Sequence, residues 1–204
     1  MDLRTYKKIT AKWKGKRYQT WDKVSTRLDL LGKILDDLEG RSFLEIGANA
    51  GIVAHEVAAY VFKYVGVEAD LHFYRQAINT RKHAKHLGDV AFYNRTFGRF
   101  AHRCEEKFDV IYTSNVLYYL REKELKVLKE KFLPHCSMMI NIFRARKKKD
   151  GRNHHKLYTC ENIANYFNEF EFKVYEGSQK KLFMMVGKRA TIDHKEEYYK
   201  KYGK

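Results

Sequence analysis

Apolar positions along the chain repeat with two different periods, and the switching between them predicts the order of its elements. Over residues 21–38, Val24, Leu28, Leu31, Ile34, Leu35 and Leu38 follow the spacing of one helical face, and the pattern stops near Gly40. SFLEIG (42–47) then reads as a short buried strand, followed by the glycine-containing turn ANAG and a helical stretch, IVAHEVAAYVF (52–62). YVGVEAD (64–70) is a second strand with an acidic end. Asp70 is placed to cap the helix over 71–86, because its carboxylate can accept the free N–H groups of the first turn. VAFYN (90–94) and FDVIYTSN (108–115) are the third and fourth strands, and residues 121–133 put Leu125, Leu128 and Leu133 on one helical side. SMMINIF (137–143) is the fifth strand, Thr159 can cap a helix over 160–167, and EFKVYEG and KLFMMVGK are separated by a short polar turn, as in a hairpin.

Strands alternating with helices predict an α/β fold: a single doubly wound, mainly parallel seven-stranded sheet with helices on both faces and right-handed crossovers. The closing hairpin adds an antiparallel last strand, expected at the sheet edge. Residues 1–20 read as a basic N-terminal arm, 21–190 as one domain and 191–204 as a charged tail.

Composition narrows the class. At 204 residues one core can bury most of the chain's apolar surface, and an aromatic content of 15% excludes a disordered chain. No apolar run approaches the roughly 20 residues of a membrane span, and MDLRTYKKIT lacks the apolar core of a signal peptide, so a soluble, cytoplasmic protein is expected. Cys104, Cys136 and Cys160 form no C-x-x-C pair and no H-x-x-x-H pair exists, which argues against a disulfide framework and a metal site. The formal charge is +16, and 13 of those charges sit in residues 1–27 and 144–156. Such clusters attract phosphate, nucleic acid or anionic glycan, or serve only as solvated surface.

Ligands of an open α/β sheet bind beyond the carboxyl ends of the strands, which directs attention to the residues there. After the first strand stand Glu45, Gly47, Asn49 and Gly51; after the second stands Glu68, whose carboxylate can accept two hydrogen bonds from a ribose diol. A dinucleotide fingerprint would need glycine at Asn49 and glycine or alanine at Ile52, and both fail. Glu45, Gly47 and Gly51 instead resemble motif I of the class I S-adenosylmethionine-dependent methyltransferases, with Asn49 in the middle glycine position. VGVEAD resembles that family's ribose-binding strand end, FDVIYTSNVLYYL its fourth strand, and KLFMMVGK its antiparallel last strand. The resemblance spans about residues 40–190. It implies S-adenosylmethionine as cofactor, S-adenosylhomocysteine as product, and no firmly implied metal. It would put Glu45 near the methionine amino end, Gly47, Asn49 and Gly51 around the cofactor backbone, Glu68 on the ribose hydroxyls, Thr96 at the adenine, and Asn115 beside the reactive methyl.

The acceptor is narrowed by what the fourth strand lacks. Methylases of exocyclic base amines carry [DNS]-P-P-[YF] there, whereas this chain has Ser114-Asn115-Val116-Leu117, and its only proline is Pro134. Cytosine-carbon methylases need a cysteine there, and ribose 2′-hydroxyl methylases an aspartate where Asn115 stands. SNVLYYL resembles the same stretch in methyltransferases of small molecules and saccharides, which favours a sugar, glycan or other small hydroxyl compound, possibly anionic, as acceptor. The abundance of Lys, Tyr and Phe is also similar to chains of large DNA viruses, some of which methylate their own glycans.

A hydroxyl must lose its proton, and His154 and His155, after the fifth strand, are the candidate bases. Tyr118, Tyr119, Arg144, Arg146 and Lys147 are the candidate acceptor-binding residues, and His55 reads as a packed core residue. The arm, with Trp13, Tyr18 and Trp21 among basic residues, could cover the cofactor or stack single-stranded nucleic acid. An RNA-directed methyltransferase and a noncatalytic nucleic-acid-binding module are the alternatives.

Overall fold

The computed structural model describes residues 21–82, 89–145, 159–179 and 181–189, together with Arg4, Lys7 and Leu157. The elements are α1 (Trp21–Gly32), β1 (Ser42–Ile46), α2 (Ile52–Val57), β2 (Lys63–Glu68), α3 (Leu71–Arg81), β3 (Asp89–Asn94), α4 (Phe97–Arg103), β4 (Val110–Ser114), α5 (Glu122–Val127), β5 (Met138–Arg144), α6 (Cys160–Tyr166), β6 (Glu171–Glu176) and β7 (Leu182–Lys188). The seven strands form one sheet in the order β3-β2-β1-β4-β5-β7-β6. β1 to β5 are mutually parallel, and β7 runs antiparallel to both β5 and β6.

Period-two alternation divides the core into two layers. Phe43, Tyr64, Val110, Met138 and Met184 pack with Leu30, Leu31, Ala54, Val57 and Ala77 of α1, α2 and α3. Their sequence neighbours Leu44, Val65, Ile111, Met139 and Met185 pack with Phe97, Phe100, Leu125 and Ile163 of α4, α5 and α6. The helices thus cover both faces, as a doubly wound sheet requires.

Two helices are shorter than the sequence expectation, α1 ending at Gly32 instead of 38 and α2 at Val57 instead of 62, and three further details differ. β7 is antiparallel as expected but is not the edge strand: β6 takes the edge and β7 lies between it and β5. An interior strand buries both faces, which Leu182 to Val186 can do, while β6 carries Glu171, Lys173 and Glu176 and stays largely exposed. The helix over 121–133 is broken into α5, a wider turn at Leu128–Phe132 and a 3-10 turn at Leu133–His135, where Pro134 cannot donate to an α-helical ladder. α4 has no counterpart in the sequence reading; it is a seven-residue helix capped by Thr96, whose hydroxyl accepts the Arg99 N–H at 3.4 Å. The expected caps at Asp70 and Thr159 are formed, to His72 and Phe73 N–H and to Asn162 N–H respectively.

Candidate active site

Strand order reverses between β1, which neighbours β2 on one side, and β4 on the other. At such a reversal the loops after the two strands diverge and leave a crevice. A cleft of about 1660 Å³ opens there, lined by the loops after β1, β2, β3 and β4 and by α1. That volume exceeds the roughly 300–1,000 Å³ of a one-ligand pocket, so there is room for two molecules.

The loop after β1 is fixed by backbone bonds. Gly47 N–H and Ala48 N–H both donate to the Val67 carbonyl, at 2.8 and 3.0 Å. Gly47 has φ +81°, and a Cβ there would lie 2.4 Å from Val116 Cγ2; Gly51, at φ +71°, has Ala77 and Phe92 atoms 3.0 Å from where a Cβ would sit. Asn49 adopts φ +53°, the left-handed region that asparagine tolerates best among residues with a side chain, which accounts for its taking the middle glycine position. Its N–H donates to Glu68 Oε2 at 2.7 Å, and Asp70 N–H donates to Glu68 Oε1 at 2.8 Å. Burial nevertheless pushes the Glu68 carboxyl above its ordinary range, outweighing those two N–H groups.

Glu45 stands opposite Tyr112 in the sheet register and accepts a hydrogen bond from the Tyr64 hydroxyl. Full burial pushes its carboxyl well upward, with the Tyr64 hydroxyl opposing the shift, Glu68 adding to it and Arg27 of α1 opposing it. Arg27 itself lines the cleft and is half-buried. At the other end, Asn115 has φ +55°; its N–H donates to the Ile142 carbonyl at 2.8 Å and its Oδ1 accepts Arg144 N–H at 3.1 Å, tying the end of β4 to β5. The Arg144 guanidinium donates to Gln179 Oε1 at 2.7 Å.

Of the residues singled out by sequence, Glu45, Gly47, Asn49, Glu68, Thr96, Asn115, Tyr118, Tyr119 and Arg144 all line this one cleft. Gly51 lies in the same loop as the N-cap of α2. Tyr118 is buried and packs against Tyr119, with ring centroids 4.5 Å apart and planes tilted by 53°, while Tyr119 is 62% exposed. His154, His155, Arg146 and Lys147 lie outside the described residues. His55 is not a core residue: it is half-buried on α2, with Nδ1 3.4 Å from Glu56 Oε1. No group of three or more His, Cys, Asp or Glu side chains among the described residues is arranged to hold a metal ion.

Sequence reasoning missed most of the cleft's cations. Arg27, Arg99, Arg103, Arg121 and Lys123 line it alongside Arg95 and Arg144. A helical spacing of four joins Arg99 to Arg103, and that was the available signal.

The strand order, the crevice at its reversal and the glycine loop tied to an acidic second-strand end together define a class I methyltransferase. A family model described as a methyltransferase domain matches residues 16–176, and the chain belongs to that family. Among solved structures it is similar to magnesium protoporphyrin IX methyltransferase from Synechocystis PCC 6803, crystallised with bound S-adenosylmethionine. There the TM-score is 0.64 at 13% identity, covering 92% of this chain and 91% of that one. It is also similar to the N-methyltransferase NodS from Bradyrhizobium japonicum WM9, with TM-score 0.60 at 16% identity over 81% of this chain and 95% of that one. At those identities the likeness is one of fold. No curated protein matches the chain by sequence. No helix among the described residues is long and apolar enough to cross a membrane.

Proposed function

We propose that the chain transfers the sulfonium-bound methyl of S-adenosylmethionine to a hydroxyl of a sugar or another small molecule, leaving S-adenosylhomocysteine. The observation that carries the reading is the Glu68 carboxylate, held by two backbone N–H groups beside a loop that has no room for a Cβ at Gly47. Each carboxylate oxygen keeps a lone pair after accepting one N–H, enough for a vicinal ribose diol. The open backbone at Gly47 and Gly51 fits the approach of a bulky nucleoside, with Thr96 near the adenine and Glu45 toward the methionine amino end. Arg27, a half-buried cation that lines the cleft together with Glu45, suits the methionine carboxylate.

When bound, the cofactor supplies a methyl already activated by a positive sulfur. The residues of the chain therefore have to align the acceptor, keep water out and take one proton. Asn115, its carbonyl oxygen engaged by Arg144 N–H, retains its amide N–H₂ as a donor at the β4 end. Tyr118, Tyr119, Arg144, Arg146 and Lys147 would bind the acceptor, and His154 or His155 would take its proton. Nucleobase amines and cytosine carbon are disfavoured as acceptors because the chain lacks the [DNS]-P-P-[YF] motif of exocyclic base-amine methylases and a cysteine after β4, and oxygen is favoured by the resemblance of SNVLYYL to the same stretch in methyltransferases of small molecules and saccharides.

The test is a methyl-labelled S-adenosylmethionine screen against free sugars, nucleotide sugars, oligosaccharides and RNA. Label in a sugar fraction is expected. Label only in RNA would make the protein an RNA-directed methyltransferase, and failure to bind S-adenosylmethionine in calorimetry would leave a noncatalytic nucleic-acid-binding module.

A further inference from the structure

We infer that the acceptor is a small hydroxy acid, of the chemical class of a uronic acid, whose carboxylate is received by Arg144 in the part of the cleft next to α1. This rests on the methyl-transfer reading and names the substrate class of the same cleft.

Four segments meet there: α1, the end of β4, the end of β5 and the turn joining β6 to β7. Ala145 N–H donates to the Lys181 carbonyl at 2.9 Å and Leu182 N–H to the Gln179 carbonyl at 3.1 Å, which ties the turn to the end of β5. Ser178 Oγ donates to Thr26 Oγ1 at 3.5 Å, which ties the same turn to α1. Val24 and Leu28 of α1, with Leu182 of β7, supply an apolar lining, and Ser114, Arg144 and Gln179 supply a polar one.

Arg144 is half-buried, and its guanidinium donates to Gln179 Oε1 at 2.7 Å without a carboxylate partner among the described residues. A neutral carboxamide orients the guanidinium fork and leaves its charge whole, with further N–H donors to spare. The four carboxylates that line the cleft belong to the other side of the crevice. Glu45 faces Tyr112 in the register and Tyr112 faces Ile140, so Arg144 lies two strands across and four residues farther along, roughly 13 Å of strand. Glu68 ends β2, Asp70 follows it, and Glu124 is held by Gly98 N–H just after β3. A partly buried cation with no counter-ion costs free energy that an anionic ligand returns, and a planar carboxylate matches the guanidinium fork. One guanidinium balances one carboxylate charge. A phosphate monoester carries nearly two, and Arg27, the other arginine lining this part of the cleft, goes to the methionine carboxylate in the same reading.

Hydroxyl groups complete the pocket. Tyr112 packs in the core layer of α1, and Ser114, two residues on, shares its face of β4. Ser114 is close enough to ease ionisation of the phenol, yet neither buried oxygen has a hydrogen bond of sound geometry. Two such hydroxyls mark a place where a ligand oxygen or a water completes the set. Ser114 faces Ile142 in the register, two residues before Arg144, so their backbone positions are roughly 8 Å apart, within reach of one monosaccharide that carries both hydroxyls and an acid group.

The experiment saturates the protein with S-adenosylhomocysteine, whose own carboxylate then occupies Arg27, and reads weak binding by ligand-observed NMR at moderate salt. Probes are paired by charge: glucuronate with glucose and galacturonate with galactose, with glucose 6-phosphate beside them. In at least one pair the acid is expected to bind about tenfold more tightly than its neutral partner, the scale of a charged hydrogen bond. That preference should vanish in Arg144→Gln. Gln179→Glu sets a carboxylate against the guanidinium and should abolish it too, whereas Gln179→Met, similar in size but uncharged, should keep more of it. The inference is overturned if no acid is preferred to its neutral partner, if the preference survives Arg144→Gln, if Gln179→Glu and Gln179→Met behave alike, or if glucose 6-phosphate binds more tightly than glucuronate. Absence of S-adenosylhomocysteine binding overturns the methyl-transfer reading instead, and the same pairs titrated into unloaded wild type and Arg144→Gln still decide whether Arg144 selects acids.

Discussion

Glu68 is the residue whose removal separates a cofactor role from a purely structural one. Its two oxygens hold Asn49 N–H at 2.7 Å and Asp70 N–H at 2.8 Å, so Glu68→Ala strips an acceptor from the glycine loop before any ligand is present. Asp70 is exposed and water can replace the lost bond, whereas Asn49 is half-buried. The unliganded protein should therefore lose about 1–3 kcal/mol, most of it from one partly buried N–H. If the carboxylate also takes the ribose diol, the loss of hydrogen bonds to a charged acceptor should weaken adenosine binding by a further 1.5–3 kcal/mol, roughly 10- to 150-fold. Thermal melting reads the first quantity. The second is isolated by calorimetry with adenosine and 2′,3′-dideoxyadenosine, since the analogue has no diol to lose. Wild type should prefer adenosine, and the preference should collapse in Glu68→Ala. Glu68→Gln, which keeps one acceptor oxygen, should retain more of the stability than Glu68→Ala and only part of the preference. A folded Glu68→Ala protein that still prefers adenosine by the wild-type factor would refute the ribose assignment.

Gly47→Ala forces a Cβ to 2.4 Å from Val116 Cγ2 at φ +81° and should cost about 1–3 kcal/mol in a thermal melt, whereas Gly32→Ala, with nothing within 4 Å, should be near neutral; equal melting temperatures for the two variants would contradict the packing of the loop. Glu45 has a raised folded pKa, so its proton linkage favours the fold below the unfolded pKa, and that contribution is lost as pH rises through the folded pKa. Glu45→Gln keeps an acceptor for Tyr64 and removes the titration, so the variant should gain stability relative to wild type as pH rises above the carboxylate range, and a constant difference from pH 5 to 8 would show that Glu45 does not titrate with folding. If His154 or His155 is the base, its alanine variant should turn over roughly 100-fold more slowly with unchanged cofactor affinity, and the wild-type rate should rise through the histidine range; two fully active single variants would remove both from the chemistry.

Local patterns made most of the scaffold legible. Each strand and two of the capping residues announce themselves within a few positions: Asp70 and Thr159 cap as their residue types require, and Glu68 ends β2 because an acidic residue closes an apolar run. Features that depend on tertiary choice were harder to read. A hairpin placed against β5 can present either strand, and the choice falls on the one able to bury both faces, a difference written in Met184 and Met185 against Lys173 and Glu176. α4 is two turns long, too short for a helical period to emerge from Phe97, Phe100 and Ala101.

The cations that line the cleft escaped for a different reason. Counting charge along the chain singles out residues 1–27 and 144–156, while residues 95–124 hold six basic and five acidic side chains and look neutral. Folding separates that mixture. Glu106 turns away to pair with Lys63 at 2.6 Å, and Asp109 is taken by the Ser42 N–H and hydroxyl at 2.8 and 2.7 Å at the start of β1, the edge of the sheet opposite the cleft. Glu124 is spent bridging two helix starts. What faces the cleft from this nearly balanced segment is Arg95, Arg99, Arg103, Arg121 and Lys123 against the single carboxylate of Glu124, because long cationic stems reach past carboxylates that have closer backbone and lysine partners. Net charge per segment is a property of the sequence, but the field a ligand meets is set by which charges the fold turns toward it. A chain can therefore carry its most conspicuous basic runs in one place and assemble its ligand-facing cations in another.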